Sequence, residues 1–355
     1  MPRPLPILFI HGFNGDPGDW TDSGFRQYVI EQGDPSASLE LALNAVKGQA
    51  LDPDLVRQFR YGVAEDGTYN NRGDIPQLAA RLAGVGLSDK EMLTSSVDRL
   101  SADSVARGGP AGVTLIAHSM GGIISRYYLS RREPDRFGAV YRGHVSRLIQ
   151  IASPNQGVDL MRLTALAPRG SLSWLFIRLL EKLGLAPALP GDAVEAWEAQ
   201  FQQMQTAERD AVAPASAGPG SRVLLTDTPV YQQLAPGSPL LTELNQPGTM
   251  PAHVECHTFY GDIRVRLVVA LRPAGRVLLD HAASFGDMLV PAYSAAEIPG
   301  SPATPHPYVA ERRIELNLRV AASEPRALAD LLPDISHAKL LSNRAVQDAV
   351  LALLQ

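Results

Sequence analysis

The sequence predicts an α/β fold, a mostly parallel central sheet with helices on both faces. Two observations carry this. Short, mostly apolar runs recur at residues 5–11 (LPILFIH, ending at Gly12), 112–118 (GVTLIAH) and 145–152 (VSRLIQIA). Apolar side chains at successive positions, rather than alternate ones, mark strands buried on both faces, as in a parallel sheet. Helix-length segments separate these runs, and strand–helix alternation is the pattern of helices covering a parallel sheet.

The remaining elements follow the same reading. Residues 55–61 form a weaker strand candidate. Residues 74–106 carry helical patterning, interrupted near Gly84 and Gly86. Gly121–Arg132 is a helix, and 253–260 and 311–319 are further strands. The stretch 263–280 (IRVRLVVALRPAGRVLLD) reads as a hairpin turning at Pro273–Gly275, inserted into the parallel sheet.

Between about 155 and 249 the alternation stops. The segment 171–185 aligns Leu172, Leu175, Phe176, Leu179, Leu180 and Leu183 on one helical face, opposite Arg178, Glu181 and Lys182. A second helix at 192–208 aligns Val194, Trp197, Phe201 and Met204. A Pro- and Gly-rich stretch follows at 210–222. The expectation is one domain over 1–355 with 155–249 inserted as a helical cap or lid, because helices inserted after a strand end tend to lie over the site there.

Composition narrows the function. With 355 residues, 45% hydrophobic and 19% charged, the chain can bury a substantial core. A net charge of −5 argues against nucleic acid or an anionic membrane surface as partner. The single cysteine, Cys256, forbids an intramolecular disulfide and reads as a buried structural thiol. The N-terminal MPRPLPILFIHG lacks the layout of a signal peptide, and no apolar run is long enough to span a bilayer, so cytoplasmic residence is the default expectation.

The chemistry is most legible in TLIAHSMGGIISRYYL (114–129). A buried strand runs into Ala117-His118-Ser119-Met120-Gly121 and a helix follows, the context that a nucleophile elbow requires. The turn is tight enough to need small residues two positions either side of Ser119, and Ala117 and Gly121 supply them. Such a turn lifts the Ser119 hydroxyl above the sheet edge and aims the Met120 N–H at a substrate carbonyl oxygen, where the helix N-terminus adds partial positive charge.

The segment resembles the α/β-hydrolase lipases, and more closely the small bacterial lipases whose elbow reads A-H-S-M-G-G. The resemblance extends to HGFNG (11–15), more loosely to GTYNNRG (67–73), and to SPNQGVDL (153–160) and QLAPGSPLLTELN (233–245), and it returns near the C-terminus. It implies an α/β-hydrolase fold and ester hydrolysis. It also implies that Phe13, after the His-Gly pair, supplies the second backbone donor of an oxyanion hole beside Met120.

The fold requires the chain order Ser, acid, His. After Ser119 come His144, His253, His257, His281, His306 and His337. His144 falls too early, His253 and His257 lie on or beside a strand, and His306 is flanked by Pro305 and Pro307. His337 precedes an amphipathic C-terminal helix, the place where the resembling lipases carry their base, and is assigned as general base. Two carboxylates compete for the acid. Asp287, in SFGDMLVPAYSA, matches the lipase acid loop; Asp262, after VECHTFYG, is the alternative.

The expected activity is a lipase or carboxylesterase, with Leu172, Leu175, Phe176 and Leu179 lining the acyl pocket and a small-molecule or lipid ester as substrate. Ser119 in place of an aspartate excludes dehalogenase or epoxide hydrolase chemistry. No cofactor or metal is expected: His253 and His257 share a strand face but stand too far apart to ligate one ion. An acyltransferase or thioesterase would use the same triad. A binding protein on a hydrolase scaffold is disfavoured because Ser, Asp and His candidates are all present.

Overall fold

The computed structural model describes residues 5–13, 18–33, 52–59, 74–158, 228–271, 276–284, 286–287, 289–317, 337 and 339–354. The helices expected over 171–185 and 192–208, the 210–222 stretch, GTYNNRG (67–73) and the hairpin tip at Pro273–Gly275 lie outside them, as do Leu172, Leu175, Phe176 and Leu179.

Six strands run parallel in the order β2 (Val56–Gln58), β1 (Ile7–Ile10), β3 (Val113–His118), β4 (Val145–Ile151), β5 (Glu255–Leu271) and β7 (Ala303–Asn317). Strand β6 (Arg276–Ser284) pairs antiparallel with β5. The three strands expected to be buried on both faces, β1, β3 and β4, occupy adjacent central positions, and β1 and β3 are buried at every residue.

Period-two alternation divides their side chains between two cores. Leu8, Ile10, Leu115 and Ala117 face one core, with residues of α3 (Ile75–Leu82), α5 (Val97–Ala106) and α6 (Met120–Ser130). Ile7, Phe9, Ile116 and Ile149 face the other, with Trp20 of α1 (Gly18–Asp22), Phe25 and Val29 of α2 (Phe25–Gly33), and Val346 and Val350 of α10 (Arg344–Leu354). The break foreseen near Gly84 and Gly86 is real. Both have positive φ, 86° and 69°, and they separate α3 from α4 (Asp89–Ser95), whose first turn is closed by a Ser88–Glu91 capping box. The far end of the expected insert, α7 (Pro229–Leu234) and α8 (Pro239–Leu244), packs Val230, Leu234, Leu241 and Leu244 into the first core.

Two expectations need correction. Residues 253–260 and the first arm of the 263–280 hairpin are one strand, β5. Its first part pairs with β4 as far as Phe259, and its second part pairs with β6 from Arg264 onward on the side that β4 has vacated. Gly261 and Asp262, which read as a break, stay extended because β7 pairs with β5 continuously across them. The last strand, expected at 311–319, begins at Ala303. Pro305 and Pro307 hid its start. Spaced two apart, both direct their missing N–H to the same side of the strand, and among the described residues β7 pairs only with β5, so both prolines fit its open edge.

Candidate active site

Ser119 and the Gly12–Phe13 turn lie at the carboxyl ends of β3 and β1, where an open α/β sheet leaves its crevice. After β3 the chain turns sharply into α6, and Ser119 takes φ 53° and ψ −125°. A non-glycine residue held there costs about 1–3 kcal/mol, which the surrounding structure must offset. Part of the offset comes from the Ser119 N–H, which donates to Ile151 O at 2.9 Å, and from Ser119 O, which accepts from Gly122 N at 3.0 Å.

The small residues expected around the turn are demanded by backbone approach. A Cβ on Gly121 would lie 2.5 Å from Ile10 O and 2.7 Å from His11 O, so the end of β1 presses directly on the first turn of α6. A Cβ on Gly122 would meet Ser153 Oγ at 2.0 Å, and one on Gly12 would meet Ser119 Cβ at 2.8 Å. Gly12 therefore brings the loop carrying Phe13 against the serine. Among the described residues, the N–H groups of Phe13 and Met120 donate to no protein acceptor, and Met120 opens a helix whose first N–H groups have no intrahelical partner.

Asp287 and His337, 50 residues apart, form a hydrogen-bonded pair. His337 Nδ1 lies 2.7 Å from Asp287 Oδ2. An ionised carboxylate only accepts, so Nδ1 carries the proton and Nε2 is left as the basic nitrogen. Asp287 is itself held: Oδ1 accepts from Leu289 N at 3.0 Å and Val290 N at 2.7 Å, and Asp287 N donates to Val290 O at 3.3 Å. Gly286, at φ 62°, is forced by this loop, since a Cβ there would lie 2.0 Å from Val290 O. The carboxylate is buried, as is Ser119 at 8% exposure, while the His337 side chain keeps 16%.

Asp262, the alternative acid, is engaged elsewhere. Its carboxylate accepts from Arg264 Nε at 2.7 Å and Ser284 Oγ at 2.5 Å, which ties the two arms of the β5–β6 hairpin at their root. His144, His253, His257 and His306 are likewise committed. His144 Nδ1 lies 2.9 Å from Asp98 Oδ1, His253 Nε2 lies 2.9 Å from the Tyr141 hydroxyl, and His257 Nδ1 lies 3.1 Å from His306 Nε2. Cys256 is buried, and burial pushes its thiol up to about 11, so it stays protonated and unreactive at neutral pH.

Sequence reasoning missed two residues with a part in this architecture. Arg126, on the buried face of α6, donates to Asn155 O and Oδ1 at 3.3 and 3.2 Å and to Leu244 O and Asn245 Oδ1 at 2.7 and 2.8 Å. Burial without a carboxylate partner lowers its guanidinium to about 10. An arginine set among Ile123, Ile124, Tyr127, Tyr128 and Leu129 was a visible anomaly in the helical pattern. His118 is the other: its ring sits against His337, with centroids 4.8 Å apart.

The sheet order, the strained serine between β3 and α6 and the facing Asp–His pair define an α/β-hydrolase fold. The chain matches no protein-family model and no curated protein. Among solved structures it is similar to EstA from Clostridium botulinum, with 13% identity over 99% of this chain and 87% of that one and a TM-score of 0.42. It is similar to lipase 1 from Pelosinus fermentans, with 11% identity over 99% and 98% of the two chains and a TM-score of 0.42. It is also similar to phospholipase PlaB from Legionella pneumophila, with 13% identity and a TM-score of 0.36 over 79% of this chain but only 50% of that one.

Proposed function

We propose that this protein is a serine hydrolase of carboxylic esters, of the lipase or carboxylesterase class. The observation that supports the reading is the 2.7 Å Asp287–His337 pair, whose His337 O lies 3.3 Å from Nε2 of His118, the residue before the strained Ser119. In the proposed mechanism the Ser119 hydroxyl attacks the acyl carbon and its proton passes to His337 Nε2. The carbonyl oxygen, now negative, accepts from the N–H groups of Phe13 and Met120, and each such donor contributes about 3 kcal/mol in a site closed to water. Asp287 fixes the His337 tautomer and stabilises the imidazolium. His337 then gives its proton to the departing alcohol, and water, activated by the same histidine, releases the acid from Ser119.

The test is covalent. A fluorophosphonate should add one equivalent to Ser119 and abolish hydrolysis of nitrophenyl acetate, and Ser119→Ala should do neither chemistry. Full activity in Ser119→Ala removes the proposal.

The substrate class is proposed on the sequence of the insert. Residues 155–249 are read as a cap whose 171–185 segment turns Leu172, Leu175, Phe176 and Leu179 to the acyl chain. Leu175→Asp should then weaken hydrolysis of nitrophenyl palmitate far more than of the acetate. Equal loss on both esters, with far-ultraviolet circular dichroism unchanged, would assign the segment to core packing.

A further inference from the structure

We propose that His118, the residue before the serine, is a positioning residue for the base: its Nε2–H holds the main-chain carbonyl of His337. This rests on the reading of His337 as general base.

Three bonds define how His337 is held. Its N–H donates to Asp287 O at 3.0 Å, its ring Nδ1 lies 2.7 Å from Asp287 Oδ2, and its C=O lies 3.3 Å from His118 Nε2. A carbonyl only accepts, so the third bond requires the Nε2–H tautomer of His118. Asp287 fixes His337 from the acid loop, and His118 fixes it from the elbow itself. The serine's immediate neighbour in sequence thus ties the nucleophile turn to the base across 219 residues of chain.

The ring of His118 is an expensive way to fill its space. It is buried, edge to face with Trp20 at 6.5 Å between ring centroids, and among the described residues His118 Nδ1 has no hydrogen-bond partner. Burying such an atom unpaired opposes folding, a penalty that a leucine or phenylalanine would avoid. A donor aimed at His337 O is the compensation the geometry offers. Burial first, and the neighbouring His337 second, also hold the His118 pKa well below its ordinary value. His118 therefore stays neutral when His337 takes the serine proton, and the Nε2–H bond persists through the reaction without a second charge beside the imidazolium.

The experiment compares His118→Leu with His118→Gln, whose amide nitrogen reaches toward the same point. On nitrophenyl acetate, His118→Leu should lower kcat by about 10- to 100-fold with KM changed less than about twofold, the signature of a misplaced base. His118→Gln should recover most of the loss. Wild-type kcat in His118→Leu overturns the proposal, as does a folded His118→Gln that is as slow as the leucine variant. Nitrogen-15 NMR of the wild-type protein gives a readout that needs no variant: an Nε2–H tautomer at His118 is expected, and an Nδ1–H tautomer overturns it. Ser119→Ala and His337→Gln run alongside. If either remains active the hydrolase reading fails; if both are dead and His118→Leu is unimpaired, only the role of His118 fails.

Discussion

At the scale of single residues, the two carboxylates show how environment assigns a role. Both are buried and both stand beside the β5–β6 hairpin. Asp262 spends its oxygens on Arg264 and Ser284, whereas Asp287 gives one to backbone N–H groups and the other to His337. If Asp287 is the orienting acid, Asp287→Asn presents a group that favours the wrong tautomer of His337, and kcat should fall by about 10⁴-fold with secondary structure intact. Asp262→Asn removes charge from a pair with a half-exposed arginine and should change kcat only mildly. Steady-state kinetics of the two variants decide the matter, and the opposite ranking would move the acid to Asp262.

At the scale of elements, α6 does more than present the serine. Arg126 bridges it to the loop after β4 through Asn155 and to the end of α8 through Leu244 and Asn245. Asn155 Nδ2 in turn donates to Gln150 Oε1 at 2.8 Å, and Gln150 Nε2 donates to Gly122 O at 3.1 Å, which returns the chain of bonds to the first turn of α6. Replacing Arg126 with methionine keeps the length of the side chain but strips donors from Asn155 Oδ1 and Asn245 Oδ1. Leu244 O and Asn155 O retain Thr249 Oγ1 and Asn245 Nδ2. The expected cost in urea unfolding is therefore about 1–3 kcal/mol. No loss of stability would mean that desolvating the guanidinium already cancels its bonds.

Elements also mark how far the sequence could be read. Strands β1, β3 and β4 and the elbow were legible because burial on both faces writes a mostly apolar run, and a tight turn admits few residue types. Ser119 and His337 are proposed from motif and chain order. The join of β5 was hidden because Gly261 and Asp262 mimic a strand end, and β7 because prolines disqualify a central strand but not an edge. The contact of His118 with His337 left no local pattern, since it depends on two segments that meet only in the folded sheet.

For the whole molecule, the decisive fact is that the proposed site is assembled from both ends of the chain. The loop of Gly12 and Phe13 leaves β1, and His337 stands just before α10. These ends are packed together. Val346 and Val350 share a core with Ile7, Phe9 and Trp20, the Tyr28 hydroxyl bonds Asp348, and the Arg344 guanidinium lies 3.5 Å from the centre of the Tyr28 ring. Helix α10 cannot leave without uncovering the face of the central strand, so the His337 segment should not open below the global transition. Esterase activity and far-ultraviolet circular dichroism should accordingly be lost at the same urea concentration. Val350→Ala, which cuts into that shared core at a cost of about 2 kcal/mol, should shift both curves equally while leaving kcat in dilute buffer unchanged. Activity that disappears at lower urea than the circular dichroism would show instead that the C-terminal segment opens alone, and that the base is held less firmly than its hydrogen bonds to Asp287 and His118 require.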